Sequence, residues 1–282
     1  MTSLEKTVPM TRLEVRPLVW SLLTMLYLSA FLPSVALALV LLGFVSFQAL
    51  KEFFTIMPLR RSERLLVLLG YLSIPIQLYL VGAHYYALAL AFIPFLIFAL
   101  AAWLVTHYET TVQALNSTLK IGWGLFTLVF GFSHLGLLLV RNGELEGTLG
   151  EGNLLLYLLL LVHTQTIMQA MLLRWRVNDW SRPVFNITLT GLAGILSVLA
   201  VGILAWGLGP WLLALTPMNA MLSGLLIGGG AYLGSTTLRA IQHALEINEA
   251  ERHLPGLGGI LFYIYPFAYA APLFFYYINL FA

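Results

Sequence analysis

Residues 85–106 read YYALALAFIPFLIFALAAWLVT, a run without a single charged side chain. A bilayer core about 30 Å thick is crossed by roughly 20 apolar residues in one helix. This stretch therefore predicts a transmembrane helix. Working outward from it, similar apolar runs recur in both directions, separated by charges or by proline and glycine.

The recurring runs predict about nine transmembrane spans. The first is short, and Pro33 is expected to join it to the second in a tight hairpin. We see no internal repeat, linker or low-complexity stretch, so we predict a cytoplasmic segment 1–16 and one transmembrane helical domain, 17–282. The predicted spans are Pro17–Phe31, Pro33–Phe54, Leu65–Gly82, Tyr85–Thr106, Ile121–Val140, Asn153–Leu173, Asn186–Leu208, Pro217–Leu238 and Gly258–Phe281.

The composition supports the same class. Of 282 residues, 60% are hydrophobic and 9% charged, with a net charge of +2, whereas soluble domains carry roughly 25% charged residues. The basic residues are scattered, which gives no indication of a nucleic-acid partner. Cysteine is absent, which excludes disulfides, thiolate metal sites and a cysteine nucleophile. We expect an all-α, polytopic integral membrane protein, with no cleaved signal peptide before the first span.

Loop charges predict the orientation of these spans. With a cytoplasmic N-terminus, two basic loops face the cytoplasm and the acidic loop 141–151 faces outward, as the positive-inside rule requires. An odd number of spans then places the C-terminus outside, and we expect a bacterial inner (plasma) membrane. The basic residues of the two inner loops are Lys51, Arg60, Arg61, Arg64, Arg174, Arg176 and Arg182.

The most specific pattern lies near the C-terminus. Residues 234–243 read GSTTLRAIQH, residues 254–265 LPGLGGILFYIY and residues 270–277 AAPLFFYY. This resembles the signature of the phosphatidate cytidylyltransferase (CDP-diacylglycerol synthase) family, which runs G-D-L-x-E-S-x-x-K-R, a K-D pair, P-G-H-G-G-I-x-D-R-x-D and an A-A-P-x-F-x-Y tail. The spacing matches without a gap.

The resemblance extends upstream and covers most of the chain, from about Leu39 to the end. Residues 186–191, NITLTG, stand where the family has N-K-T-W-E-G, and residues 162–169, VHTQTIMQ, resemble the stretch that holds another family aspartate, near Thr166. Residues 122–134 resemble one bacterial branch. The resemblance implies a dimeric, Mg²⁺-dependent enzyme fold that joins phosphatidic acid to CTP and releases pyrophosphate.

The glycines and prolines of the signature are retained. Such residues set turns and close helix contacts, so we expect a structural role for Gly191, Gly234, Pro255, Gly256, Gly258 and Gly259. Asn186 and Thr188 also match the family, and we take them with the basic residues Arg174, Arg176 and Arg182 as candidates for contact with a lipid substrate.

The charged residues of the signature are lost. Ser235 and Leu238 replace Asp and Glu, and Gln242 and His243 replace Lys-Arg. The other degenerate positions are Ile187, Thr190, Asn248, Glu249, Leu257, Phe262, Tyr263 and Tyr265. The chain contains one aspartate, Asp179, in a loop. Because Mg²⁺ needs several oxygen ligands and two-metal chemistry must clamp both reacting oxygens, we predict no metal site, no cofactor and no catalytic residues.

Simpler interpretations of the polar residues stay open. The three arginines serve as positive-inside anchors or hold an anionic headgroup. Gln165 and Gln169 either form interhelical hydrogen bonds or line a polar cavity left from a nucleotide pocket. His134, His163 and His243 are most simply packed or interfacial. Glu249 belongs to a solvated face or keeps one metal or nucleotide contact.

Three functions remain as hypotheses. The first is a catalytically inactive relative of the cytidylyltransferases that binds lipids or a partner, as a homodimer or with another membrane protein. The second is an active enzyme with altered ligands, using Glu249, His243 and Arg239. The third is a lipid transporter, although neither the inverted repeats nor the intramembrane charges typical of that class are visible.

Overall fold

The structure is a computed structural model that describes residues 12–57, 60, 63–107, 111–144, 153–176, 187–245 and 259–281. Side chains at 12–19, 107, 142–144, 174–176 and 187–190 lie outside this description. The described part consists of helices joined by short connections, without a strand. The α-helices are α1 Arg12–Ser29, α2 Val35–Ile56, α3 Arg64–Gly82, α4 Tyr86–His107, α5 Thr111–Gly124, α6 Phe132–Glu144, α7 Leu154–Arg176, α8 Ile187–Leu213, α9 Pro217–Ala244 and α10 Ile260–Phe281.

The all-helical prediction is confirmed for this part of the chain, and seven of its helical rods are long and apolar enough to cross a membrane. The predicted count of nine is not confirmed. The apolar part of α1 covers only Trp20–Ser29, and α9 is not among the seven because it is rich in glycine, serine and threonine. Large apolar side chains point outward from the spans, including Trp211 at 81% and Phe98 at 74% exposure, as expected of surfaces that face lipid.

Helix α9 is the central element of the C-terminal half. It lies between α8 and α10, and glycines allow close approach on both sides. A Cβ at Gly228 would lie 3.4 Å from the Cα of Val198 in α8. A Cβ at Gly230 would lie 2.8 Å from the Cα of Ala270 in α10. The small residues that lower the hydropathy of α9 are thus the residues by which it packs.

Helices α5 and α6 form one continuous rod through a π-helical segment, Leu125–Gly131. The rod begins at Thr111, so the predicted span Ile121–Val140 was too short at its N-terminal end. A π turn contains an extra residue, and its backbone groups find side-chain partners here. Ser46 of α2 donates to the carbonyl oxygen of Leu128 within the segment at 2.6 Å, and the hydroxyl of Thr127 donates to the carbonyl oxygen of Trp123, which precedes the segment in α5, at 2.7 Å.

Hydroxyl side chains cap the N-terminal ends of α2 and α9. The hydroxyl of Ser34 accepts from the backbone N–H of Leu37 at 3.4 Å at the start of α2. The hydroxyl of Thr216 accepts from that of Asn219 at 3.3 Å at the start of α9, where Pro217 needs no partner. Such caps satisfy N–H groups that a helix leaves without carbonyl partners.

Candidate functional site

The C-terminal half of α9 and the N-terminal half of α10 meet at Gly234. A Cβ at this position would lie 2.8 Å from the carbonyl oxygen of Tyr265 and 2.9 Å from the Cα of Pro266. The structure therefore brings the segments around two degenerate positions, Ser235 and Tyr265, to one helix contact. The expected structural role of Gly234 agrees with this geometry, because only glycine fits between the two backbones.

Ser235 and Leu238 are both buried on α9. The hydroxyl of Ser235 donates to the carbonyl oxygen of Ala231, one turn earlier in the same helix, at 2.9 Å. This bond is internal to α9. The two positions where the resembling family carries Asp and Glu hold a small hydroxyl and an apolar side chain.

Tyr265 is fully buried on α10. The indole Nε1 of Trp123, at the end of α5, donates to its hydroxyl at 2.7 Å. The ring of Tyr269 lies 5.8 Å away, centroid to centroid. Tyr265, which stands where the resembling signature has its final aspartate, is thus an aromatic ring with a hydrogen-bonded hydroxyl, which is how buried tyrosines are normally satisfied.

The remaining described positions of the signature lie at the helix ends. Phe262 is half-buried and meets the ring of Tyr263 edge-on at 5.3 Å. Gln242 is half-buried and His243 is exposed in the last turn of α9. Gln242 and His243, which stand where the resembling signature has Lys-Arg, thus lie beyond the buried contact at Gly234.

Glu52 of α2 was missed by the sequence analysis, and it lies at the first turn of α10. Its Oε2 accepts from the backbone N–H of Leu261 at 3.4 Å. A Cβ at Gly259 would overlap the Glu52 carboxylate, so the glycine leaves room for it. A carboxylate at a helix N-terminus is stabilised by the helix dipole and by unpaired N–H groups.

Other predicted site residues divide into two groups. Arg174, Arg176 and Thr188 lie in α7 and α8, but their side chains are outside the described part, as are Arg182, Asn186, Glu249, Pro255, Gly256, Leu257 and Gly258. Gly191 lies in α8, and a Cβ there would meet nothing within 4 Å. The structural role predicted for Gly191 stays a prediction.

Gln165 and Gln169 lie on one buried face of α7. Nε2 of Gln165 donates to Oε1 of Gln169 at 3.4 Å and to the hydroxyl of Ser197 in α8 at 3.3 Å. These contacts favour interhelical hydrogen bonding.

His134 is also buried, with Nδ1 2.9 Å from the carbonyl oxygen of Phe130. Nδ1 of His163 lies 2.9 Å from the hydroxyl of Tyr27 in α1.

The residues at the α9–α10 contact do not fit the Mg²⁺ that the resembling family requires. The cation is held by carboxylate and carbonyl oxygens in near-octahedral geometry. The described signature positions at this contact are Ser235, Phe262 and Tyr265, none of which is a carboxylate, and Glu52 at the first turn of α10 supplies a single one. Over the described ranges, no three His, Cys, Asp or Glu side chains come close enough to share a metal ion. No metal-dependent step can be derived from this arrangement.

Comparison with known proteins gives one informative relative. The chain is 33% identical over 252 residues to the uncharacterized protein YnbB of Escherichia coli K12, in an alignment that covers 86% of this chain and 79% of the relative. No protein-family model matches the chain.

Proposed function

We propose that this chain, which belongs to the same protein family as YnbB of Escherichia coli, is a catalytically inactive membrane protein of phospholipid metabolism. In this proposal it descends from phosphatidate cytidylyltransferases and binds anionic lipid or a partner subunit. We place it in a bacterial inner membrane with a cytoplasmic N-terminus, as a homodimer or in association with another membrane protein.

The observation that carries the proposal is the filled α9–α10 contact. Tyr265 occupies the position of a family aspartate, and its hydroxyl is engaged by Trp123. Phosphoryl chemistry between phosphatidic acid and CTP needs cations to neutralise the phosphates and carboxylates to seat those cations. The ring of Tyr265 and the hydroxyl of Ser235, which donates to the carbonyl oxygen of Ala231 in its own helix, can neither neutralise a phosphate nor hold a cation.

The lipid-binding part of the proposal is supported by charge. Arg174 and Arg176 form the end of α7 and Arg182 follows it in the sequence. A basic cluster at the cytoplasmic surface attracts anionic headgroups, at about 1 kcal/mol per residue.

Thermal unfolding of the purified protein in mild detergent separates the alternatives. We expect no change in the midpoint on adding CTP, with or without Mg²⁺, and an increase on adding phosphatidic acid. A midpoint shift that requires both CTP and Mg²⁺ would favour an active enzyme with altered ligands.

A charge variant locates the headgroup contact. The double substitution Arg174→Gln with Arg176→Gln should remove most of the shift caused by phosphatidic acid. Lys51→Gln is the matched control, because Lys51 is an exposed cation in the other basic region. Equal losses in both variants would show that the effect is general surface charge and would contradict a headgroup site at α7.

A further inference from the structure

Away from the α9–α10 contact, a groove lies between α2 and α3. It has a volume of about 930 Å³, and its lining consists of α2, α3, the turn after α3 and Val140 of α6. Apart from Tyr71, Tyr79 and His84, the lining side chains are apolar. We call it the α2–α3 groove. Both helices are among the seven apolar rods, so the groove faces the hydrocarbon of a surrounding bilayer.

The groove has one closed end. On α2 it extends from Val35 to Phe47, and on α3 it reaches back to Tyr71. The rings of Phe47 and Tyr71 lie 5.0 Å apart, centroid to centroid, and close this end. At 1.5 Å per residue the groove is about 18 Å long, which is close to the thickness of one leaflet, roughly half of a 30 Å core.

Three glycines leave room for Leu39 and Leu78, which form the bottom of the groove. A Cβ at Gly82 would lie 2.8 Å from Cδ1 of Leu39, and one at Gly136 of α6 would lie 2.7 Å from its Cδ2. A Cβ at Gly43 would lie 2.8 Å from Cδ1 of Leu78. Larger residues at these positions would push Leu39 and Leu78 outward into the groove, since packed interiors leave them no other space.

The open end lies at the turn after α3. The N–H of His84 donates to the carbonyl oxygen of Val81 at 3.1 Å, and that of Tyr85 to Leu80 at 2.9 Å, the pattern of a Schellman motif. His84 occupies its left-handed position with φ 62°, where glycine is usual. A histidine in this conformation costs about 1 kcal/mol of backbone strain.

The histidine side chain forms a polar rim at this end. Its Nδ1 lies 2.8 Å from the hydroxyl of Tyr86, and Tyr79 and Tyr85 are exposed nearby at 69% and 54%. Tyrosines collect at the membrane interface, where an apolar ring meets hydrated headgroups. The groove thus runs from an interfacial polar rim to a closed apolar end at about the depth of the bilayer midplane.

From this geometry we propose that the α2–α3 groove binds one acyl chain of a glycerophospholipid, with the headgroup beside His84 and Tyr86. An acyl chain of one leaflet begins at the membrane interface and ends near the bilayer midplane. The groove has a matching length, and like the lipid it is polar only at its interfacial end. A transmembrane helix about 10 Å across and 30 Å long occupies roughly 2,400 Å³, so it could cover the groove but could not enter it.

This site is separate from the proposed function. His84 lies at the end of α2 that begins at Val35, whereas α10 begins at the opposite end of α2, beside Glu52. The acyl-chain site concerns α2 and α3 and requires no relation to the cytidylyltransferases. Its failure and that of the proposed function are therefore distinguishable, the first by lipid cross-linking and the second by nucleotide binding and turnover.

Photo-cross-linking in proteoliposomes tests the site. The probe is phosphatidylglycerol with a diazirine halfway along one acyl chain, and adducts are located by peptide mass spectrometry. We expect adducts on the lining residues of α2 and α3 in clear excess over equally exposed residues of α8, such as Ile195 and Ile203 at 58% and 69%. An even distribution over all lipid-facing helices would overturn the proposal.

Groove-filling variants provide the control. Val40→Trp and Ala36→Trp place a ring in the groove from exposed positions on α2, and each should reduce the α2–α3 adducts several-fold. Leu37→Trp lies on the same helix outside the lining and is 50% exposed, so it should leave the adducts unchanged. Unchanged adducts in both filling variants, or protein–protein cross-links through the groove in place of lipid adducts, would contradict the proposal.

His84→Gly tests the polar rim. It removes the side chain and the left-handed backbone cost together, so the thermal midpoint in lipid-free detergent should not fall. Retention of phosphatidylglycerol through delipidation should nevertheless decrease several-fold. Unchanged retention would contradict a headgroup contact at His84.

Discussion

At Gly234 the backbone of α10 lies where a side chain would begin. The neighbouring atoms are the carbonyl oxygen of Tyr265 and the Cα of Pro266, and backbone atoms cannot move aside as a flexible side chain can. We expect Gly234→Ala to lower stability by about 1–3 kcal/mol through overpacking. Gly229→Ala on the same helix meets nothing within 4 Å and serves as the control.

The measurement for this pair is unfolding in mixed detergent micelles. Gly229→Ala should be neutral or slightly stabilising, because alanine has the higher helix propensity. Equal midpoints for the two variants would show that α9 and α10 are not in contact at Gly234.

The hydroxyl of Tyr265 offers a second test at this scale. Tyr265→Phe removes the hydrogen bond from Trp123 and leaves the ring in place, so stability should fall by about 1 kcal/mol. Tyr276→Phe is the control, since that side chain is 44% exposed. A blue or red shift of tryptophan fluorescence in the first variant alone would report the loss of the indole partner, and identical spectra would contradict the contact.

The resemblance to the family signature implied that the segments around Ser235 and Tyr265 belong to one site. It could not predict Glu52, which lies more than 200 positions before α10 and belongs to no motif. Nor could it predict that Gly191 faces open space, because retention of a glycine in a pattern does not reveal whether a neighbour approaches it. Both depend on tertiary packing.

At the scale of elements, the π segment depends on a partner helix. Ser46 of α2 donates to the carbonyl oxygen of Leu128 inside the segment. Ser46→Ala removes that donor from a buried site, and we expect a loss of about 1 kcal/mol. Thr55→Ala is the control on the same helix, because the exposed Thr55 bonds only back to Lys51 of its own helix at 2.8 Å.

Protection of backbone amides reports the same contact locally. In Ser46→Ala, hydrogen exchange should increase over Leu125–Gly131 and stay unchanged in α8 and α9. An increase spread evenly over all helices would indicate global destabilisation and would argue against a specific partnership between Ser46 and the π segment.

Hydrophobic patterning predicted the elements unevenly. For α4 the predicted Tyr85–Thr106 differs from the observed Tyr86–His107 by one residue at each end. The agreement is close because the length of the uncharged stretch determines where this helix begins and ends. The rod from Thr111 was predicted ten residues too late, since Gln113, Asn116 and Lys120 lie in its first turns. The extra residue of the π segment leaves no trace in hydropathy.

At the scale of the whole molecule, the loop charges predict how the protein is oriented in the membrane. The chain contains no cysteine, so single cysteines report sidedness without background. We expect Glu146→Cys to react with a membrane-impermeant maleimide in intact cells, and Arg182→Cys to react only after permeabilisation, as the positive-inside rule requires. The reverse labelling pattern would show that the N-terminus lies outside the cytoplasm.

The number of spans could not be derived from composition alone. Each of seven rods in the described part contains an apolar stretch long enough to cross a membrane, but α9 combines length with glycine, serine and threonine because it packs between two other helices. A hydropathy threshold therefore treats an interior helix as a weak span. The contacts of α9 with α8 and α10 explain its composition, and they could be known only from the packed structure.

The central proposal is that the α9–α10 contact does not support cytidylyl transfer, and turnover tests it most directly. Purified protein in lipid nanodiscs is incubated with phosphatidic acid, CTP and Mg²⁺, and pyrophosphate and CDP-diacylglycerol are measured. We predict that neither product forms above a protein-free control. Both products, formed in proportion to the protein, dependent on Mg²⁺ and abolished by Glu249→Gln, would contradict the claim.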